Sequence, residues 1–374
     1  MASVEHVAIV GPLPPPAGGM ANQTEQFASF LESEGVKVTV VQVNLPYEPR
    51  WVGKIPMFRA LVRLVQYQRA LKQKLADVDL VHIMANSGWS WHLFAAPAIK
   101  VAKQLNKPVV LNYRGGYAAD FFAKSWSQVK KTLDLVDDIV VPSSFLQGVF
   151  SDYGKTAKII PNVLNEQRFN CLERQSAMKP TVIVTRNLEA IYDVATAINV
   201  FAGIRQQFPN AELKVAGTGP ELANLQALCQ ELALAPSVEF VGRLSPDEVA
   251  NLYKAADLML NTSVVDNSPN ALIEALACGT PIVSSNVGGI PQLVSDQYNA
   301  LLAAPKDIDK MTQLSLALLT KPEQRQTLIA NGLTTIEKFY WRNVWRELEA
   351  CYQQAIQGRS QQTEQQKKVG RANV

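Results

Sequence analysis

Histidine is scarce in this chain of 374 residues, which holds three, and cysteine is little commoner, at four. Cys171, Cys229, Cys278 and Cys351 lie far apart, with no pair at metal-ligand spacing. A zinc ribbon and a disulfide framework are both excluded on that count, and a reducing compartment is expected. No apolar run reaches the roughly eighteen residues of a membrane span. The start, MASVEHVAIVGPL, runs straight into a strand pattern, with no secretory signal ahead of it. The expected location is therefore the cytoplasm. An excess of one charge is lacking too, since 36 Lys and Arg stand against 33 Asp and Glu. A net charge of +3 implies no nucleic-acid partner. No Ser/His/Asp or Cys/His constellation is recognisable. Asp77-Val-Asp79 and Asp307-Ile-Asp309 have a spacing used for Mg²⁺, but they sit at a strand entrance and a helix start, where capping explains them.

Apolar residues are what the chain has in quantity, 47% hydrophobic against 18% charged, a globular composition. Its length suffices for two hydrophobic cores. Val4–Val10, Val36–Val43, Leu80–Ile83, Val109–Leu111, Ile139–Val141 and Lys158–Ile160 read as buried strands, with helical patterns between them. A second series follows at Thr181–Thr185, Leu213–Ala216, Val238–Val241, Leu258–Asn261 and Pro281–Ser284. Such alternation predicts an α/β fold of two Rossmann-like domains, with ligands at the carboxyl ends of the strands. The boundary falls within IIPNVLNEQRFNCLERQSAMKP, which breaks the periodicity. Domains are thus expected over 1–165 and 166–340, then a helix over 341–358. The polar, glutamine-rich tail over 359–374 lacks an apolar face and is expected to be disordered.

The densest chemistry lies from Asp266 to Val294, DNSPNALIEALACGTPIVSSNVGGIPQLV. Asp266 falls in a polar loop, and eight positions later Glu274 falls in the first turns of a helix beginning near Pro269. Amides at such a helix start stabilise an anion such as a diphosphate, and a nearby carboxylate can accept hydroxyl hydrogen bonds from a ribose or hexose. Taken singly, each feature is ordinary: Glu274 is a favourable acid in a first turn, and Gly279, Gly288 and Gly289 are caps and turns. Taken in order, they resemble the signature of the retaining family-4 glycosyltransferases of GT-B fold. That signature pairs acidic residues eight positions apart before an EALACGTPIV-like helix-turn-strand and a VGGIPQLV-like turn.

The resemblance implies a GT-B fold, two Rossmann-like domains with parallel sheets facing a central cleft. The first domain would serve the acceptor and the second the nucleotide-sugar, with the 341–358 helix crossing back onto the first. It also implies the reaction: a hexosyl group passes from a UDP- or GDP-sugar to a hydroxyl of a glycan or lipid-linked acceptor, with retention and without a metal or other cofactor. Asp266 would orient sugar hydroxyls and Glu274 would hold the ribose. Arg186, in VIVTRNLEAIYD, would take the diphosphate charge with the amides of Asn270, Ala271 and Leu272. VAGTGPE, with Gly217, and FVGRLSPDEV, with Leu244 in preference to Arg243, resemble turns whose main chain frames the base. GPLPPPAGGMANQTEQFASFL, with Gly18 and Gly19, resembles the acceptor-side glycine loop, whose amides cover the donor phosphates or the acceptor. Neither glycine turn matches the dinucleotide fingerprint, which disfavours a nicotinamide enzyme.

This chain departs from the family pattern in two places. A lysine normally follows the arginine by five or six positions, where Ile191 and Tyr192 stand here. Tyr192 offers a phosphate one hydrogen bond and no charge. The usual histidine-glycine pair after the fourth strand is replaced in LNYRGGYAADFF by Arg114. Its openings are a donor sugar, a phosphate or an anionic acceptor, against a plain surface arginine beside a glycine turn. His82, in DLVHIMANSG, resembles a histidine ending the third strand in relatives and is expected on the acceptor side, with a satisfied core histidine as the alternative.

From Arg50 to Lys74 the chain carries seven basic and no acidic residues, with Trp51, Phe58, Leu61, Val62 and Val65 at partly helical spacing. Such a helix can dock peripherally on anionic lipid at the inner face of a membrane. It can equally pack its apolar stripe on the sheet. Two competing functions remain at this level: a sugar-nucleotide epimerase or hydrolase, and a non-catalytic GT-B protein that binds a sugar-nucleotide. Too little histidine is present to supply the acid/base pair of an epimerase.

Overall fold

The computed structural model describes residues 4–15, 19–45, 56–172 and 179–372. The chain divides into two compact units, Met1–Val163 with Trp341–Val374, and Leu164–Tyr340.

Strands and helices alternate through the first unit. In order come β1 (His6–Gly11), α1 (Gly19–Ser33), β2 (Lys37–Gln42), α2 (Pro56–Lys74), β3 (Leu80–Ala85), α3 (Ala96–Gln104), β4 (Val109–Tyr113), α4 (Ala118–Leu133), β5 (Asp138–Val141), α5 (Ser144–Asp152) and β6 (Lys158–Ile159). The sheet is parallel, in the order β2-β1-β3-β4-β5-β6. Every residue of β3 and of β4 is buried, as strands covered on both faces require. The strand order reverses between β1 and β3, which makes their carboxyl ends the switch point of this sheet.

The second unit repeats the plan with β7 (Thr181–Val184), α6 (Val194–Gln207), β8 (Glu212–Ala216), α7 (Leu222–Glu231), β9 (Val238–Gly242), α8 (Pro246–Ala255), β10 (Leu258–Asn261), α9 (Asn270–Ala277), β11 (Ile282–Ser285), α10 (Ile290–Leu293), β12 (Leu301–Ala303), α11 (Ile308–Thr320) and α12 (Pro322–Thr335). Its parallel sheet runs β9-β8-β7-β10-β11-β12, so its switch point lies between β7 and β10. A capping box starts α8: Ser245 Oγ accepts from the Glu248 amide while the Glu248 carboxylate accepts from the Ser245 amide. β12 is three residues long, too short to show a period in sequence.

Helix α13 (Trp341–Ala372) returns the chain to the first unit. Trp341, Val344, Leu348, Cys351 and Tyr352 join one core with Val7, Ile9, Leu80, Val110 and Val140 of the sheet. Trp341 stacks on Phe30 with ring centroids 5.1 Å apart, and its indole N–H donates to the Glu34 carboxylate at 2.8 Å. The sequence reads 359–374 as disordered, whereas helical backbone continues to Ala372. Its Gln, Glu, Lys and Arg are good helix formers and no proline interrupts them, so the helix begun by packing propagates without an apolar face of its own.

Candidate active site

Two strands flank the switch point of the second sheet, and each is followed by a candidate side chain. β7 leads into Thr185 and Arg186, and β10 leads through Thr262 and Ser263 to Asp266. A backbone and a side-chain hydrogen bond join the two loops. The Val264 amide donates to Ile191 O at 2.8 Å, and Thr262 Oγ1 donates to Asp193 O at 2.8 Å.

Arg186 Nη2 donates to Asp266 Oδ2 at 2.5 Å, with both side chains only 11% exposed. Asp266 Oδ1 accepts from the Asn267 amide at 2.9 Å. The guanidinium also lies over the Tyr192 ring, 4.1 Å from its centroid. Tyr192, read from sequence as a hydrogen-bond donor to phosphate, thus lies with its ring face against Arg186. Arg186 Nε is buried and has no hydrogen-bond partner. A strong cationic donor therefore stands ready where the strand order reverses.

Glu274 lies on α9 close to this pair. Burial pushes its carboxyl up to about 7, against the opposing pull of a Tyr253 hydrogen bond and of the Arg186 and Arg168 charges. The Tyr253 hydroxyl also bonds Thr185 Oγ1 at 2.7 Å, which ties the carboxylate to the end of β7. Sequence reading missed both Tyr253 and Thr185, because nothing local distinguishes a buried tyrosine on α8 that reaches across the unit. Pro269 precedes α9 and has no side chain able to cap it, so Asn270 and Ala271 open an uncapped helix start. The Leu272 amide donates to Pro269 O at 3.1 Å, and its side chain is fully buried. Contrary to the sequence expectation, the Leu272 amide is engaged within the turn.

Close backbone approach explains the glycines of the motif. A Cβ on Gly288 would stand 2.0 Å from Asp266 O, and one on Gly217 would stand 2.1 Å from Arg186 O. Gly288 and its neighbour Gly289 let the loop after β11 press on the Asp266 loop, where the Gly289 amide donates to Asp266 O at 3.1 Å. Gly217 likewise holds the loop after β8 against that after β7. Leu244 is half-buried and Arg243 exposed in the β9–α8 turn, where Gly242 has a φ of 72°.

The first unit carries a separate polar chain. Arg114 Nε donates to Asn112 Oδ1 at 3.1 Å, Asn112 Nδ2 meets His82 Nε2 at 3.1 Å, and His82 Nδ1 meets the Tyr352 hydroxyl at 2.8 Å. Since a guanidinium only donates, Asn112 Oδ1 accepts, its amide nitrogen donates to His82 Nε2, and the histidine proton is left on Nδ1 facing Tyr352. His82 is fully buried, and burial, helped by the Arg114 charge, lowers its pKa to about 3. The acceptor-side role expected of His82 is corrected accordingly: both ring nitrogens are spent inside the core, leaving none for a ligand. Gly19 opens α1, and Gly18 lies outside the described residues.

Asp79 accepts from the Glu5 and His6 amides, and Asp307 caps α11 through the Lys310 amide at 3.0 Å. Among the described residues no group of three or more His, Cys, Asp or Glu could hold a metal ion. Nor, among them, is any helix long and apolar enough to cross a membrane.

Two parallel α/β units, the second with a cation and two carboxylates gathered at its switch point, are those of a GT-B glycosyltransferase. Residues 17–168 match Glycosyltransferase Family 4 and residues 173–335 match Glycosyl transferases group 1. The chain belongs to the family-4 glycosyltransferases. It is 24% identical to the alpha-monoglucosyldiacylglycerol synthase of Streptococcus pneumoniae, over 91% of this chain and 84% of that protein. Sucrose-phosphate synthase from Thermosynechococcus elongatus has a similar structure, with a TM-score of 0.74 at 20% identity, covering 95% of this chain and 100% of that one. Anabaena HepE in complex with UDP and glucose gives a TM-score of 0.71 at 17% identity, covering 93% and 99%.

Proposed function

We propose that this glycosyltransferase moves a hexosyl group from a nucleoside-diphosphate sugar, a UDP-sugar before a GDP-sugar, to a hydroxyl of a glycan or lipid-linked acceptor. Transfer retains the anomeric configuration and needs no metal ion. The observation that carries this reading is the convergence of Arg186, Asp266 and Glu274 at the switch point of the second sheet. On entry of the donor, its diphosphate engages Arg186 and the first turn of α9, which draws Arg186 Nη2 away from Asp266. Asp266 is then released to accept sugar hydroxyls, while Glu274 accepts from the ribose. The departing phosphate takes the acceptor proton on the same face, so no covalent nucleophile is required. HepE, of similar fold, was solved with UDP and glucose, which favours UDP. Similarity to a glycolipid synthase over most of the chain favours a lipid-linked acceptor.

The test is binding and slow hydrolysis across UDP-, GDP- and ADP-sugars for wild type and Glu274→Ala, with the released anomer assigned by NMR. Selective binding of one donor, weakened in the variant by about tenfold or more, is expected, together with a product of unchanged anomeric configuration. An inverted product would overturn the retaining step, and failure of every donor to bind would overturn the donor itself.

A further inference from the structure

Arg114 is a half-buried cation whose hydrogen-bond partners among the described residues are all neutral. Its Nε donates to Asn112 and its Nη1 to Asn162 Oδ1 at 2.5 Å, with Gln23 Oε1 at 3.5 Å. The Phe27 ring lies 5.5 Å from the guanidinium carbon. No ion pair of Arg114 occurs among the described residues, and burial alone pushes its pKa down, to about 9. Buried charges are ordinarily paired, because leaving one uncompensated costs several kcal/mol. The remaining nitrogen, Nη2, is buried and has no hydrogen-bond partner among the described residues.

The surroundings reinforce that demand. Arg114 leaves the carboxyl end of β4, next to the strands of the switch point, and Gln23 brings it beside α1, whose first turn holds no acidic residue. The guanidinium thus meets the second turn of α1, and no carboxylate among the described residues acts on its charge. A Cβ on Gly115 would stand 2.2 Å from Ser87 Oγ, so the loop is pressed onto its neighbour, and the Asn112–His82–Tyr352 chain braces Nε from behind.

We propose that Arg114 recognises an anionic oxygen group, a carboxylate or a phosphate, on a sugar substrate of this enzyme. The proposal rests on the glycosyl-transfer reading for its substrate class. Nη2 contributes the charged hydrogen bond, and the three bracing side chains act as positioning residues that hold its direction. Lysine in place of Arg114 would retain the charge and lose the fork.

Full-length wild type, R114K and R114Q are compared by thermal shift with inorganic phosphate. Calorimetry follows with glucose against glucuronate and glucose 6-phosphate, and with UDP-glucose against UDP-glucuronate. Phosphate is expected to raise the Tm of wild type more than that of R114Q. The charged member of one set is expected to bind wild type about tenfold or more tightly than its neutral partner. That preference should vanish in R114Q and shrink in R114K. A preference among the free sugars assigns the anion to the acceptor, and one among the UDP-sugars assigns it to the donor. Equal binding of charged and neutral ligands by wild type overturns the proposal, as does a preference that survives in R114Q. If R114Q does not fold, R114K decides: a reduced preference supports the proposal and an unaltered one overturns it. UDP alone separates the two readings. UDP binding without charge preference sinks only the Arg114 role, whereas a phosphate shift tied to Arg114 without UDP binding sinks only the donor assignment.

Discussion

Glu274 couples pH to stability and, on the proposed reading, to donor binding in the opposite direction. Burial holds its folded pKa at about 7, above its ordinary value of 4.5, so between those values the folded chain binds more protons than the unfolded one. This carboxyl's contribution is therefore complete below its unfolded pKa and is lost as pH rises through about 7. Glu274→Gln is expected to stabilise the protein at pH 8 by about 1–2 kcal/mol and to flatten the fall between pH 5 and 8. Denaturant melts of both proteins across that range check it, and parallel curves would refute it. Donor affinity should move the other way in wild type, strengthening as pH rises past about 7, since only the carboxylate accepts two ribose hydroxyls. Sequence exposed Glu274 through its place at the head of EALACGTPIV, but not its environment. Tyr253 lies 21 positions upstream, and folding alone brings it to the carboxyl.

At the scale of elements, the site is a set of loops at one end of a sheet, held by backbone contacts that only glycine permits. Gly288 has a φ of 53° and its missing Cβ faces Asp266 O, so Gly288→Ala must shift the loop that carries the carboxylate. The substitution is expected to destabilise by about 1–3 kcal/mol and to weaken donor binding, with most of the protein still folded. Unfolding curves together with UDP titration test this, and unchanged UDP affinity in a destabilised protein would show that the loop's position is immaterial to binding. The glycine-rich motif was visible in the sequence as turns. Its purpose, pressing the β11 loop onto the β10 loop, depends on two strands becoming neighbours in space.

For the whole molecule, the basic stretch over 50–74 is where the fold bears on location. Tyr67 and Leu71 of α2 belong to the core of the first unit, while Arg69, Lys72 and Lys74 are exposed. Tyr67 and Leu71 thus serve the sheet, while Val65 of the same helix is 43% exposed and the outward face of its last turns carries charge. Membrane contact is accordingly expected to be electrostatic: the protein should sediment with anionic vesicles at low salt and be released as salt rises. Equal recovery with neutral vesicles would rule it out. Residues 50–55 of this stretch, with Trp51, lie outside the described residues.

The sequence by itself determined the alternating α/β plan of the two units, because a buried parallel strand must be a short apolar run and its crossover helix must be amphipathic, and both are local patterns. It also located the Asp266–Glu274 motif, whose residues sit within about two helical turns of one another. What only tertiary structure decided are the pairings between distant positions. Arg186 meets Asp266 across 80 residues, and His82 meets Tyr352 across 270, so a histidine that reads as a ligand in sequence becomes part of the core. Arg114 is the counterpart, an arginine beside a glycine turn in sequence that folding leaves as a charge with no counterion among the described residues. Hydrophobic periodicity records which face of an element is buried, but which polar group that burial leaves without a partner depends on neighbours the chain supplies from elsewhere.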